Sequence, residues 1–247
     1  MLGEEIVGYL RESILDDVKV PYLWSTTELL RMCNYAEVQA CRRAHLIIDS
    51  STANDSGTAG TASTMGQKPL CTLSIVANQA TYNLSPKVLM VKRAQLLSQA
   101  VPLDGPKTYF DLDYLISGWI GTSGTVGTAG STGAPVFFLN EPGNTITFVE
   151  APSVDDTAYL VVSRIPLIPF ELKTSPEIDE KYHIDLTDWA AHLAYMKNDS
   201  DTLNLNLAKY YSDSFAAKFG PLPNAYSDRM RKTIMQSQRM RAREFGS

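Results

Sequence analysis

The chain has 247 residues, 44% of them hydrophobic, and a formal charge of −5. That length supports one large or two small globular domains with an ordinary core, so folding needs neither disulfides nor a structural metal. Residues 1–5 lack the basic start of a secretory signal, and the longest apolar run, 159–170, is broken by Arg164 and two prolines, so no membrane span is expected.

Residues 4–18 predict an amphipathic helix with Val7, Leu10, Ile14 and Val18 on one face, ended by Pro21. The next helix, over 24–48, is the most fully specified element. Ser25 and Glu28 form a capping-box pattern, and Trp24 and Leu29 stand at staple positions. Leu29, Cys33, Ala36, Ala40, Ala44 and Ile47 share a face of mostly small side chains, which lets a neighbouring helix approach closely. Arg31, Gln39, Arg42 and Arg43 are expected to point away. Cys33 and Cys41 lie two helical turns apart, roughly 12 Å, beyond disulfide reach. Together with Cys71 they read as buried thiols of a protein assembled in a reducing compartment.

Residues 50–66 are almost entirely Ser, Thr, Ala, Gly and Asn, the composition of a mobile loop. From 70 to 168 the period shifts towards two. Strands are expected over 71–75, 81–84, 88–97 and 158–165, and a hairpin joins 136–139 to 145–149 through Glu141-Pro142-Gly143-Asn144. Residues 108–116 predict a short helix with Phe110, Tyr114 and Leu115 as its apolar residues. The stretch 121–133 has glycine at every third position without proline and without Gly-Lys-Ser/Thr, so collagen and phosphate-loop readings both fail, leaving a projecting loop.

Tyr182, Leu186, Trp189, Leu193 and Met196 stripe a further helix, and Leu207, Ala208, Tyr211, Phe215 and Phe219 stripe another, stopped by Gly220-Pro221. The resulting class is α+β: an antiparallel bundle of about four helices with an inserted antiparallel β domain and an extended C-terminal tail. The expected division is 1–49 (two bundle helices), 50–170 (β domain), 171–220 (two more helices) and 221–247 (tail).

Catalytic constellations are missing from the sequence. The three histidines are His45, His183 and His192; Asp188 and His192 stand at i, i+4 on one helix with Asp185 one turn earlier, but no ligand cluster completes a metal site. Asp199-Ser200-Asp201 starts like a calcium loop, but Asn204 and Tyr210 occupy the positions that need Gly and Glu. Neither Gly-x-Ser-x-Gly nor a dinucleotide fingerprint occurs. No enzyme activity, cofactor or metal is expected.

The charge is uneven. Residues 228–244 hold six cations against Asp228 and Glu244, a balance of +4 that leaves −9 for the remainder. Three readings of this tail are open: a segment that orders on docking to an acidic partner protein, a solvated charged helix, or a nucleic-acid contact. Its lack of aromatics before Phe245 and the acidic body count against nucleic acid.

Several short motifs resemble the head-to-tail adaptor (connector) proteins of tailed bacteriophages. They are Trp24-Ser25 with Glu28-Leu29-Leu30 and Asn34-Tyr35-Ala36, then Gln79-Ala80-Thr81-Tyr82-Asn83-Leu84-Ser85-Pro86 with Val91-Lys92-Arg93-Ala94, then 177–183. Ser85 interrupts the usual Leu-Pro. The resemblance implies a ring of twelve copies below the portal, in the virion neck, assembled in the host cytoplasm. Such a ring extends the DNA channel and gives the tail its attachment surface. It also implies portal and tail proteins as partners, passing double-stranded DNA without sequence-specific binding, and no membrane. The C-terminal segment of such adaptors docks on the portal, which here would engage Arg229, Met230, Arg231, Lys232, Ile234, Met235, Arg239, Met240, Arg241, Arg243 and Phe245. Arg31, Arg42 and Arg43 become candidates for contacts between subunits. A tail nozzle or tail-tube protein, or a DNA-binding packaging accessory, is the alternative.

Overall fold

The computed structural model of the chain describes residues 1–50, 70–116, 132–141, 144–198 and 201–224. Among these the class is α+β, with five α-helices and two four-stranded sheets. The chain divides into two compact units, one formed by Met1–Ile47 with Ile165–Pro223 and the other built on Ile48–Arg164. Residues 165–170, read from sequence as the end of the β domain, therefore belong with the helices.

The first unit contains α1 (Gly3–Tyr9), α2 (Thr26–Ala44), α4 (Leu186–Tyr195) and α5 (Leu205–Phe219). The first helix is shorter than its periodicity predicts. After Tyr9 it widens into one π-helical turn, Leu10–Ile14, and Val18 is exposed instead of facing the core. Its start is held from outside, because the amides of Gly3 and Glu4 donate to the carbonyls of Thr174 and Leu172 at 2.9 and 2.8 Å. A Cβ at position 3 would collide with the Glu171 carbonyl, so this close approach needs glycine.

Helix α2 starts where its cap predicts. Ser25 Oγ accepts from the Glu28 amide at 3.2 Å, but the Glu28 carboxylate does not close the box and instead takes Lys197 Nζ at 3.2 Å. The helix ends earlier than expected. His45 adopts the left-handed conformation of a C-cap, Ala44 is exposed, and Ile47–Asp49 leaves as strand β1.

Two core clusters fill this unit. Cys33 of α2 meets Ala190, Ala191 and Ala194 of α4, joined by Ile6, Leu10, Trp24, Leu29 and Phe170. One turn further on, Ala36, Ala40 and Cys41 face Leu186, Trp189, Phe215 and Phe219. Small side chains on both helices let the backbones approach, and the large rings fill the space beyond them. Trp24 Nε1 donates to the Ala194 carbonyl at 3.3 Å, and Tyr195 Oη donates to the Ile14 carbonyl at 2.9 Å, tying α4 to the chain around the first two helices.

In the second unit β10 (Asp156–Arg164) is the central strand of one sheet. It pairs antiparallel with β2 (Thr72–Ile75) and β4 (Val88–Leu96), and β1 also lies beside it. The other sheet runs in the order β3 (Thr81–Asn83), β8 (Thr145–Val149), β7 (Phe137–Glu141), β5 (Asp104–Lys107). The predicted hairpin forms between β7 and β8, with Phe137 opposite Val149 and Glu141 opposite Thr145. Two pairings are parallel, β5 with β7 and the short β6 (Thr132–Gly133) with β9 (Ala151–Pro152), so the β region is mixed and not wholly antiparallel. Arg164 Nε meets Asp49 Oδ2 at 2.6 Å in the interior. Burial, with the Asp49 charge adding to it, pushes the Cys71 thiol up to about 12.

Helix α3 (Tyr109–Leu115) is capped by Thr108 and Asp111 and docks through Leu112 onto Leu139 and Val149. The sequence reading of its apolar face is corrected: Phe110 and Tyr114 are each 83% exposed, and Leu115 is also exposed.

The close α2–α4 approach makes a direct prediction. Ala190→Leu adds side-chain volume where none fits and should destabilise the protein by about 1–3 kcal/mol. Chemical denaturation measures this; an unchanged midpoint would mean that the seam has slack.

Candidate functional site

Asp188 and His192 do not pair. Asp188 Oδ2 accepts from Ser214 Oγ at 2.7 Å and meets Lys218 Nζ at 2.9 Å, while Lys218 also reaches Asp185 at 2.8 Å. Burial lowers the Lys218 pKa, yet hydrogen bonds and charge from the two carboxylates outweigh it and leave it raised. His192 Nδ1 lies 2.8 Å from the Ala208 carbonyl and so carries the proton in that contact. Among the described residues no group of three His, Cys, Asp or Glu could hold a metal ion, and no helix is long and apolar enough to cross a membrane.

The three arginines of α2 separate. Arg31 is exposed and Arg42 half-buried. Arg43, expected to point outward, is only 6% exposed. Its guanidinium lies 4.5 Å from the centre of the Trp189 ring and 4.8 Å from that of Phe215, and Nη1 donates to the Gly220 carbonyl at 3.1 Å. Its Nε and Trp189 Nε1 have no hydrogen-bond partner among the described residues, so the ring faces take up much of the charge. Burial, with Arg42 adding to it, lowers the Arg43 pKa. Arg43 therefore holds α2 to α4 and the end of α5 and offers no outer surface. The eleven residues between 229 and 245 that the resemblance implies for docking, and nearly all of the two Gly-rich stretches, lie outside the described residues.

Two features of the helical unit were not foreseen. The first is the loop before α2. Arg11 and Asp17 form a buried ion pair at 2.6 Å. Asp17 also accepts the amides of Leu23 (2.9 Å) and Trp24 (3.3 Å), and Arg11 Nη2 donates to the Trp24 carbonyl at 2.9 Å. The Arg11 guanidinium sits 4.0 Å from the centre of the Tyr22 ring. Closed at its base in this way, the loop exposes six consecutive residues, 18–23, with Val20 at 79%. Val18, Val20, Tyr22 and Leu23 hold apolar surface outward there, with the charged Lys19 among them; apolar groups clustered on a fixed backbone are a mark of an interaction surface.

The second feature is a cleft of about 270 Å³ between α2 and residues 166–169, walled by Tyr35, Val38, Pro166 and Pro169 with Arg31 alongside. Asn34 and Glu37 set its depth. Asn34 Oδ1 accepts the Phe170 amide at 2.8 Å and its Nδ2 donates to the Phe170 carbonyl at 2.9 Å. Glu37 Oε1 accepts the amides of Glu177 (2.6 Å) and Ile178 (3.2 Å). These groups are turned to the crossing chain, which leaves apolar walls facing the opening. In the sequence the two prolines only interrupt an apolar run. Only Asn34-Tyr35-Ala36, singled out as a motif, hinted at more.

Removing one member of the buried pair strands the other. Asp17→Ala should cost about 3–5 kcal/mol of stability, whereas Val20→Ser on the same loop should stay within about 0.5 kcal/mol. Urea denaturation of the two variants measures the difference, and equal midpoints would contradict the role given to the pair.

The family model described as SU10 adaptor protein matches residues 4–242. No curated protein matches the sequence. Because the match takes in nearly the whole chain, from α1 through most of the basic tail, the chain belongs to the SU10 adaptor family of bacteriophage head-to-tail adaptors.

Proposed function

We propose that this protein is a structural, non-enzymatic component of the virion neck, assembled in the host cytoplasm as a ring of twelve copies below the portal. The ring extends the DNA channel and gives the tail its attachment surface. The observation that carries this reading is the family match across residues 4–242. In this reading α1, α2, α4 and α5 form the frame of the adaptor and the β region is inserted into it. A tail nozzle would be mostly β, and the helical unit speaks against that alternative. The acidic body suits a channel wall, since a repelled polyanion does not adhere as it passes. DNA is then a passing cargo and not a sequence-specific ligand.

Residues 230–245 are the portal-docking element in this proposal. Their positive charge on an otherwise acidic chain matches an acidic groove, and their few apolar side chains give them little to bury without a partner.

Electron microscopy of purified portal mixed with the full-length protein should show an added ring on the portal; a portal that stays bare would overturn the assignment. Deleting residues 226–247 should leave the protein folded, because all three described core clusters are built from earlier residues, yet abolish portal binding. Undiminished binding by the truncated chain would move the docking element elsewhere.

A further inference from the structure

We propose that Arg43 is a positioning residue for the C-terminal tail: by holding the Gly220 carbonyl it fixes the direction in which the chain leaves α5. The inference deepens the portal-docking reading above and rests on it.

Arg43 stands where a charge is costly. It is 6% exposed. Among the described residues its only hydrogen bond runs from Nη1 to the Gly220 carbonyl at 3.1 Å, and no carboxylate pairs with it. An apolar side chain would pack against Trp189 and Phe215 without that desolvation, and replacing buried charges in this way is often neutral or stabilising. The ring faces offset part of the cost, but they do not dictate where the N–H groups point. What a guanidinium adds here is its hold on residue 220.

Gly220 is held through both of its backbone groups. Its amide donates to the Ala216 carbonyl at 2.9 Å, and its carbonyl accepts from Arg43. Its φ of 93° and ψ of 170° lie in a region essentially reserved for glycine. A Cβ there would meet nothing within 4 Å, so backbone rotation and not space demands the glycine. Pro221 and Pro223 then lock φ, and each restricts the residue before it. Residues 220–223 are thus a stiff root, and the docking element at 230–245 starts from a set place on the helical unit. In a ring of copies this matters. Once one tail is seated, its neighbours bind from a short tether, and the effective concentration falls as that tether lengthens or loosens.

The first measurement needs no portal. The native cysteines are buried, so nitroxides attach at Lys209→Cys and Leu222→Cys, both exposed positions. Pulsed electron paramagnetic resonance should give a narrow distance distribution in the parent and a broad one when Arg43→Met is added; an equally narrow one would overturn the proposal. The second measurement uses full-length protein and purified portal. Arg43→Met should weaken portal binding about tenfold, and so should a short Gly-Ser insertion between Pro223 and Asn224, which leaves α5 and its packing alone. The insertion decides the matter even if Arg43→Met does not fold. If Arg43→Met weakens binding and the insertion does not, the arginine acts through the fold and the proposal fails. If neither weakens it, the root has no part in docking and the proposal fails, while the tail reading stands. If deleting residues 226–247 leaves portal binding intact, the tail reading fails and takes this inference with it.

Discussion

The helical unit depends on how closely α2 and α4 approach. Cys33, Ala36, Ala40 and Cys41 on one side, and Ala190, Ala191 and Ala194 on the other, present almost no side chain between the two backbones. Everything larger must then pack around the seam. Trp24 fills one end and donates to the Ala194 carbonyl, while Trp189, Phe215 and Phe219 fill the other. The gain is dispersion and burial: a fully buried aromatic ring contributes about 1.5–3 kcal/mol. The constraint is that neither helix tolerates an added methyl group without moving.

With so little side chain at the seam, polar groups at its margins fix the path of the intervening chain. Asn34 and Glu37 take the backbone of residues 170–178, Arg11 and Asp17 take that of 23–24, and Arg43 takes the Gly220 carbonyl. Buried ions of this kind add little net stability, because desolvation offsets much of their attraction. Their effect is to leave one conformation that satisfies them. A charged or amide group aimed at backbone amides also removes those amides from competition elsewhere, and a loop with no other partner for its backbone is held open by default.

Much of this was legible in the sequence because it is local. The start of α2 follows from Ser25 and Trp24, the β7–β8 hairpin follows from alternation around a turn, and the stripe from Leu207 to Phe219 marks α5. Tyr82 in the Gln79-Ala80-Thr81-Tyr82 motif also has a local reason. Its hydroxyl accepts the Val76 amide at 2.9 Å and lies within 3.0 Å of the Val76 and Gln79 carbonyls, closing the turn ahead of its own strand. What could not be read depends on distant partners. A helical wheel places Arg43 outside, but two aromatic rings from α4 and α5 make the interior the better site for it. The end of α2 is lost on the wheel too, since Ile47 suits either a helix face or a strand and only the left-handed His45 decides between them. In α3 the wheel offers Phe110 and Tyr114 as the buried pair, yet Leu112 is the residue that reaches Leu139 and Val149.

That last case bears on function. Leu112 anchors α3, and two of the helix's three rings, Phe110 and Tyr114, are left in water at positions where packing did not require them. The 18–23 loop follows the same arrangement: an interior polar or apolar anchor, and apolar side chains held outward on a fixed backbone. Each exposed ring or aliphatic group forgoes the burial it would gain in a core, so folding of one chain gives no reason for it. Association does. Large rings with few rotatable bonds lose little entropy on binding and dominate the energetics of interfaces. Exposed apolar groups of this kind occur on both compact units.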